Sequence, residues 1–439
     1  MDTPILDMLS EYSERDILRL HMPAHKGRLD KFDITEVEGA DSLFDANGII
    51  KRSEENAGKI FGADSFYSTE GSSLSIRAMV YLSSLYAKER GASPLILAAR
   101  NAHKSFLSAV ALCDTDVEWM LPKDSPSYLS CPLTKDEVER AIDRTSPTAV
   151  YITSPDYLGR TVNIKEIAEV CHKKDVLLLV DNAHGAYLKF LDPSRHPIDL
   201  GADMCCDSAH KTLEALGGAG YLHISRTAPR FFKENAKSAM SLFASTSPSY
   251  LILASLDRLN ALLASEFSCV LQSFVVRIED FCKKIEELGF KNVSEEPLKI
   301  TIDTAEYGYT GDEIAEILIK NNIVCEFHDK DYLVMMLSPY MTDGEIERLY
   351  CSLKAIPKRE AIKKGSLPLT LPKRVLSPRE AILSPSETVS AKECLGRVLA
   401  SVTVGCPPAV PIIVSGEMID ENTLEVSLYY GTERFTVVK

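Results

Sequence analysis

Apolar positions along the chain fall into two periods that alternate. Short unbroken apolar runs at 95–98, 149–152 and 176–180 read as buried strands. Between them the spacing becomes helical. Ile164, Ile167, Ala168 and Cys171 share one face of a helix expected over 165–174, and a second helix is expected over 135–143. Strand and helix in alternation predict an α/β large domain with a mostly parallel sheet covered by helices. Past residue 256 the pattern changes. A long helical stretch runs toward 287, then a strand at 298–302, a helix at 312–320, strands at 323–326 and 332–337, and a helix at 342–354, which predicts a smaller α+β domain. The segment 357–385, rich in Pro and Lys, reads as a linker or surface wrap. A last piece, 389–439, ends in an alternating run. The expected division is an arm at 1–50, a large domain at 51–256, a small domain at 257–356, and a linker with tail domain at 357–439.

Composition narrows the class. Forty-nine basic and 63 acidic residues give a net charge of -14, which argues against nucleic acid as the main partner. The 11 cysteines form no C-x-x-C pair, so no metal site is expected, and they read as free thiols of a reducing cytosol. The first 16 residues carry acids and lack a signal peptide's apolar core. The longest uncharged run, 238–256, is broken at its centre by Ser245, Thr246, Ser247, Pro248 and Ser249, so it is not read as a membrane span. A cytoplasmic protein without membrane partners is expected.

Candidate chemistry gathers at strand ends, where open parallel sheets bind ligands. Asp181 directly follows the run VLLLV and is either a helix cap or a functional acid. In "CCDSAHKTLEALGGAGYLHIS", Lys211 stands beside Ser208 and His210, ahead of Gly217, Gly218 and Gly220. Such a lysine is either part of a solvated loop or an amine held for covalent chemistry. Gly71, Ser72 and Ser73 open an apolar-periodic helix, as a plain N-cap or as an anion site. His103 lies beyond the strand at 95–98, structural or catalytic. An anion cradle, an acid, an imidazole and a lysine together are the set that pyridoxal phosphate requires.

Ordered motifs make the set recognisable. "HMPAHKG" (His21 to Gly27), "DITEVEGADSL", "RNAHKS", "ITSPDYLG", "DNAHGA", "SAHKTL", "STSPSY", "GYTGDEI" and "PPAVPIIVSGE" follow one another along the chain. In that order they resemble the bacterial Orn/Lys/Arg decarboxylase family of fold-type-I pyridoxal-phosphate enzymes, over nearly the whole chain. The resemblance implies that Lys211 attaches the cofactor covalently and that Ser72, Ser73, Ser208 and His210 hold its phosphate. It further implies that His103 stacks on the ring, Ala183 packs the opposite face, His184 follows it, and Asp181 partners the pyridine nitrogen. Ser245 and Thr246 match a segment that reaches the neighbouring subunit's cofactor, which implies a homodimer with shared sites. The run around them, if not at an interface, would be a buried helix with a capped start at Ser247 and Pro248.

The implied reaction is decarboxylation of an amino acid, arginine, lysine or ornithine, to an amine and carbon dioxide. Lys211 or His103 would return the proton, and Glu326, Asp329 and Glu417 are candidate acids for the substrate's distal cation. Several positions depart from the family pattern: Ala24 and Ala409 for glycines, Asn182 for the glutamate of D-E-A-H-G, Asp156 for a threonine, and Glu214 for a proline. The same fold also supports aminotransferase and aldolase or lyase chemistry. A diverged member with weak or no decarboxylase activity is the other alternative.

Overall fold

A strand with neighbours on both sides must be apolar on both faces, and the short apolar runs of this chain become such strands. The computed structural model describes residues 1–123, 125–365, 368–402 and 404–439. In chain order its first elements are α1 (Pro4–Glu14), α2 (Ile49–Phe61), β1 (Ala63–Ser68), α3 (Gly71–Glu89), β2 (Leu95–Ala99), α4 (Lys104–Cys113), β3 (Asp116–Met120), α5 (Lys135–Thr145), β4 (Ala149–Thr153), α6 (Ile164–Lys173) and β5 (Leu177–Asp181). Then come β6 (Met204–Asp207), α7 (Ala209–Thr212), β7 (Gly220–Ser225), α8 (Arg230–Ser241), α9 (Tyr250–Leu263) and α10 (Phe267–Glu287). The chain continues through β8 (Lys291–Asn292), β9 (Lys299–Asp303), α11 (Gly311–Lys320), β10 (Phe327–His328), β11 (Tyr332–Met336) and α12 (Asp343–Lys354). It closes with α13 (Pro378–Leu383), β12 (Ser386–Ser390), β13 (Leu399–Ser401), α14 (Glu421–Tyr429) and β14 (Arg434–Val438).

Seven strands make the expected α/β sheet, in the order β1-β7-β6-β5-β4-β2-β3. β5 and β6 run parallel, with Leu179 opposite Met204 and Asp181 opposite Cys206. β7 runs antiparallel to both of its neighbours, pairing Cys205 with His223 and Phe66 with Leu222. Every residue of β5 and β6 is buried.

Two compact units divide the chain. The first comprises Met1–Ile96, Ser146–Ile152 and Ile164–Cys269; the second comprises Leu97–Thr145, Thr153–Asn163 and Val270–Lys439. In the first, α3 packs on β6 and β7, and α1 and α2 both pack against α9. The second contains an antiparallel sheet of order β10-β11-β9-β8 and a three-stranded sheet of order β12-β14-β13. Its helices α11 and α12 begin with capping boxes, Thr310 with Glu313 and Thr342 with Glu345, which satisfy first-turn N–H groups.

The element pattern departs from expectation in a few places. The stretch expected as one helix toward 287 is two, α9 and α10, because the Ser265 hydroxyl and N–H both turn back to the Leu262 carbonyl and close α9. The expected strand at 323–326 shrinks to two residues displaced to β10. Part of the expected wrap at 357–385 is the helix α13, capped by Ser377 with Pro378 at its first turn; Ser366 and Leu367 lie outside the described residues. No single helix among the described residues is long and apolar enough to cross a membrane.

Candidate active site

The carboxyl ends of β5 and β6 meet the N-terminal end of α3 within the first unit. Close approach here needs glycine. A Cβ on Gly220 would come within 2.9 Å of the Asp207 carbonyl oxygen and of the Gly71 carbonyl carbon. Gly218, at φ +94°, accepts the Gly71 N–H through its carbonyl at 2.7 Å. Gly218 and Gly220 therefore serve the packing of α3 against β7. This packing places the buried Ser208 hydroxyl 2.9 Å from the Ser72 hydroxyl, and the Ser72 N–H donates to Ser208 Oγ at 3.3 Å. Ser73 is half-buried in the same first turn. Two serines and a helix N-terminus, joined by Ser208, are the kind of arrangement that can hold an anion.

Asp181 is 2 % exposed at the end of β5. Three donors orient its carboxylate: the Tyr151 hydroxyl on Oδ2 at 3.0 Å, the Ala183 N–H on Oδ1 at 3.2 Å, and the Cys206 thiol on Oδ1 at 3.5 Å. Burial, and then the Asp181 charge, push both Tyr151 and Cys206 well above their ordinary values, so both remain protonated donors. Lys211 lies in the short helix α7, and its Nζ is 3.0 Å from Nε2 of the buried His184. His210, half-buried beside it, bonds the Ala219 carbonyl through Nδ1 at 2.8 Å. Burial pushes this imidazole down, and the Lys211 charge adds to the effect.

The structure thus brings together Ser72 with Ser208, Asp181 with Ala183, and His184 with Lys211. Ser245 and Thr246 are exposed ahead of α9, and the Ser245 N–H donates to Glu70 at 2.8 Å. His103 belongs to the second unit, where its Nδ1 caps α4 by accepting the Ser105 N–H at 3.1 Å. Sequence reasoning missed Tyr151 and Cys206 as partners of Asp181. The signal for Tyr151 was a hydroxyl inside the otherwise apolar run AVYI, since a buried hydroxyl needs a partner.

The departures have local explanations. Glu214 forms an exposed ion pair with Arg258 at 3.2 Å, worth little. The buried Asp156 takes the N–H groups of Leu158 and Arg160, each at 2.9 Å, and so organises its own turn. Ala409 adopts φ +56°, where an alanine costs roughly 1–2 kcal/mol more than a glycine. Asn182 donates to Asp207 at 2.6 Å.

The three candidate acids for a distal cation, all in the second unit, differ in what already holds them. Glu417 is 2 % exposed and receives both ends of the Arg100 guanidinium at 2.7 and 2.9 Å, so it is committed to that pair. A third Arg100 contact goes to the Ile412 carbonyl at 2.9 Å. Glu326 accepts the Tyr157 hydroxyl at 2.8 Å. Asp329 accepts the Asp331 and Tyr332 N–H groups on Oδ1, both at 2.8 Å, while its Oδ2 has no partner among the described residues. It lines a cavity of about 350 Å³ together with Tyr128, Tyr429 and Tyr430.

An oriented acid at a strand end, an amine beside an imidazole, and a hydroxyl-lined helix N-terminus fit pyridoxal phosphate in ring partner, attachment point and phosphate cradle. The fold is that of a fold-type-I pyridoxal-phosphate enzyme. Residues 3–295 match the family described as Orn/Lys/Arg decarboxylase, major domain, and the chain belongs to that family of pyridoxal-phosphate-dependent amino acid decarboxylases. It is 28% identical to an arginine decarboxylase of Bacillus anthracis, over 97% of this chain and 92% of that protein. It is 23% identical to the constitutive lysine decarboxylase of Escherichia coli, over 88% of this chain and 68% of the relative. Its fold matches the crystal structure of the Francisella novicida lysine decarboxylase with a TM-score of 0.81 at 20% identity, covering 100% of this chain and 81% of the other.

Proposed function

We propose that the chain converts a basic amino acid, with arginine the first candidate, to its amine and carbon dioxide, using the site at the carboxyl ends of β5 and β6. The observation that carries this reading is the convergence there of Asp181, the His184–Lys211 pair and the Ser72–Ser208 cradle. Pyridoxal phosphate, when bound, supplies the electron sink that makes loss of carbon dioxide from an α-amino acid feasible. Asp181 would hold the proton on the ring nitrogen, its carboxylate kept in place by Tyr151, Ala183 and Cys206. Ser72, Ser73, Ser208 and His210 would bind the phosphate, and Ala183 would pack against the ring. Lys211 is the attaching amine. His184, within hydrogen-bond reach, can take or return the proton on Nζ. For His103 the resemblance supports the ring-stacking role. A panel of amino acids tests the reading. Release of agmatine from arginine, or of cadaverine or putrescine from lysine or ornithine, is the expected result. A keto acid or aldehyde as the main product would replace it with another reaction of the same fold.

Asp329 is the proposed acid for the distal cation, because its Oδ2 is buried without a partner among the described residues and the residue lines a cavity, whereas Glu326 is exposed and Glu417 is held by Arg100. Burial first, then the charges of Asp331 and Asp312, push its carboxyl up to about 7. The sign follows: below pH 7 the carboxyl is neutral and cannot pair a cation, and above it the charge is available. The KM for a basic substrate should therefore rise as pH falls through about 7. Asp329→Asn should raise KM about tenfold to hundredfold, the loss of a charge-assisted hydrogen bond, and flatten that profile, with kcat changed much less. An unaltered KM and an unaltered profile in the variant would remove Asp329 from the substrate site.

A homodimer with shared sites completes the proposal. Ser245 and Thr246 are exposed, as a segment reaching a second subunit would be in one chain. Leu18, Leu20 and Leu29 of the arm are each more than 80 % exposed, apolar surface that a second copy would bury.

A further inference from the structure

We propose that Asp207 is a positioning residue for the cofactor: its buried carboxylate fastens the strand end that carries Asp181 to the one that leads into Ser208 and Lys211. The inference rests on the cofactor site proposed above and concerns four residues to which that site assigns nothing.

Asp207 is the last residue of β6. Its Oδ1 accepts the Asn182 side-chain N–H at 2.6 Å, and its Oδ2 lies 3.0 Å from His196 Nε2 and 3.3 Å from His223 Nε2. His223 bonds the Ser65 hydroxyl through Nδ1 at 2.8 Å. Asp207, Asn182, His196 and His223 are all fully buried. A carboxylate taken wholly from water needs a counter-charge. Among the described residues no lysine or arginine pairs with Asp207; the Asn182 amide and the His196 ring hold it instead, while burial pushes the His223 imidazole below its ordinary value. Burial pushes the Asp207 carboxyl up, but His196, through charge and a hydrogen bond, with His223 beside it, outweighs this and holds it well below the usual carboxylate range.

The cluster couples to the site through chain neighbours. Asn182 sits between Asp181 and Ala183, and its backbone N–H donates to the Cys206 carbonyl at 3.0 Å, so main chain and side chain both tie the end of β5 to the end of β6. On the other side Asp207 is followed by Ser208, which holds Ser72. A displaced Asp207 moves the acid and the phosphate hydroxyls relative to each other. The pairing also accounts for the departure at Asn182. The glutamate of the family motif would set a second carboxylate against Asp207, whereas asparagine offers a donor.

The ligating atoms of His196, Asp207 and His223 lie within 4.8 Å of one another, a spacing that would also suit a metal ion. The hydrogen bonds from Asn182 and His196 to Asp207 favour the network reading.

The test compares full-length wild type with Asp207→Ala, Asn182→Ala and Asp207→Asn. Each is stripped of cofactor and titrated with pyridoxal phosphate, following the absorption and circular dichroism of the bound group and the melting temperature of the stripped protein. Both alanine variants should bind the cofactor about tenfold or more weakly and alter its dichroism, since each leaves buried partners unpaired. Asp207→Asn, which keeps an acceptor for Asn182, should recover most of the affinity. Unchanged affinity and dichroism in folded alanine variants would overturn the proposal. So would failure of both to fold, which would make the cluster core alone, or stoichiometric metal in wild type that Asp207→Ala loses. Borohydride labelling of wild type separates the two readings. Label away from Lys211 sinks the cofactor site itself, whereas label on Lys211 with unchanged variants sinks only the role of Asp207.

Discussion

Lys211→Ala protein is expected to show no measurable turnover, a loss of at least about 10³-fold, because no other group in the described site can serve as the attaching amine. Borohydride reduction of wild type in the presence of pyridoxal phosphate should leave the pyridoxyl group on the peptide containing Lys211, and reduction of the variant should label nothing at that position. The same variant tests whether the site is shared. Mixed under conditions that exchange subunits with inactive chains altered at Ser245 and Thr246, it should regain part of the activity, since some hybrids then hold one intact site. Label on another lysine would refute the attachment. No recovery despite demonstrated exchange would refute the sharing.

Asp181→Asn should still bind the cofactor but turn over about 10²-fold or more slowly. The amide keeps the shape of the carboxylate: its one oxygen can still accept from the Ala183 N–H, and its NH2 then faces the Tyr151 hydroxyl as a donor. What it lacks is the negative charge that keeps the ring nitrogen protonated and so lets the ring draw electrons from the breaking bond. The loss should fall on kcat far more than on the dissociation constant of pyridoxal phosphate, measured by titrating stripped protein. A variant within a few fold of wild-type turnover would reduce Asp181 to a cap at the end of β5. Tyr151→Phe, which removes one of three donors to that carboxylate, should have the smaller effect of the same sign.

Much of this site could be read before the fold was known, for a specific reason. Asp181, Ser72 and Lys211 each sit where one period of the sequence gives way to another, and strand ends and helix starts are where side chains escape the core. What stayed hidden lies inside the periodic segments. Tyr151 and Cys206 stand in apolar runs, and only the alignment of neighbouring strands turns them toward Asp181. The His196, Asp207 and His223 cluster has no telling spacing, because its members come from a loop and two paired strands and meet only through the register of Cys205 opposite His223. The acids were legible as types but not as states. Glu417 and Asp329 look alike in the sequence, yet one is bound by Arg100 and the other keeps an oxygen without a described partner. Helix starts follow the capping chemistry at Thr310 and Thr342, close to the starts expected at 312 and 342, whereas the helix capped by Ser377 was not expected. The single long helix expected toward 287 failed because a serine that closes a helix, such as Ser265, is compatible with the interior of one as well.

The bond between Arg100 and Glu417 has a consequence in time. The two residues are 317 positions apart, so at about 5–20 residues per second the ribosome delivers the glutamate roughly 15–60 s after the arginine. Through that interval the guanidinium lacks its carboxylate and has the Trp119 ring, 5.1 Å away in the fold, as a partner already made. Closure of this buried pair thus waits on the tail.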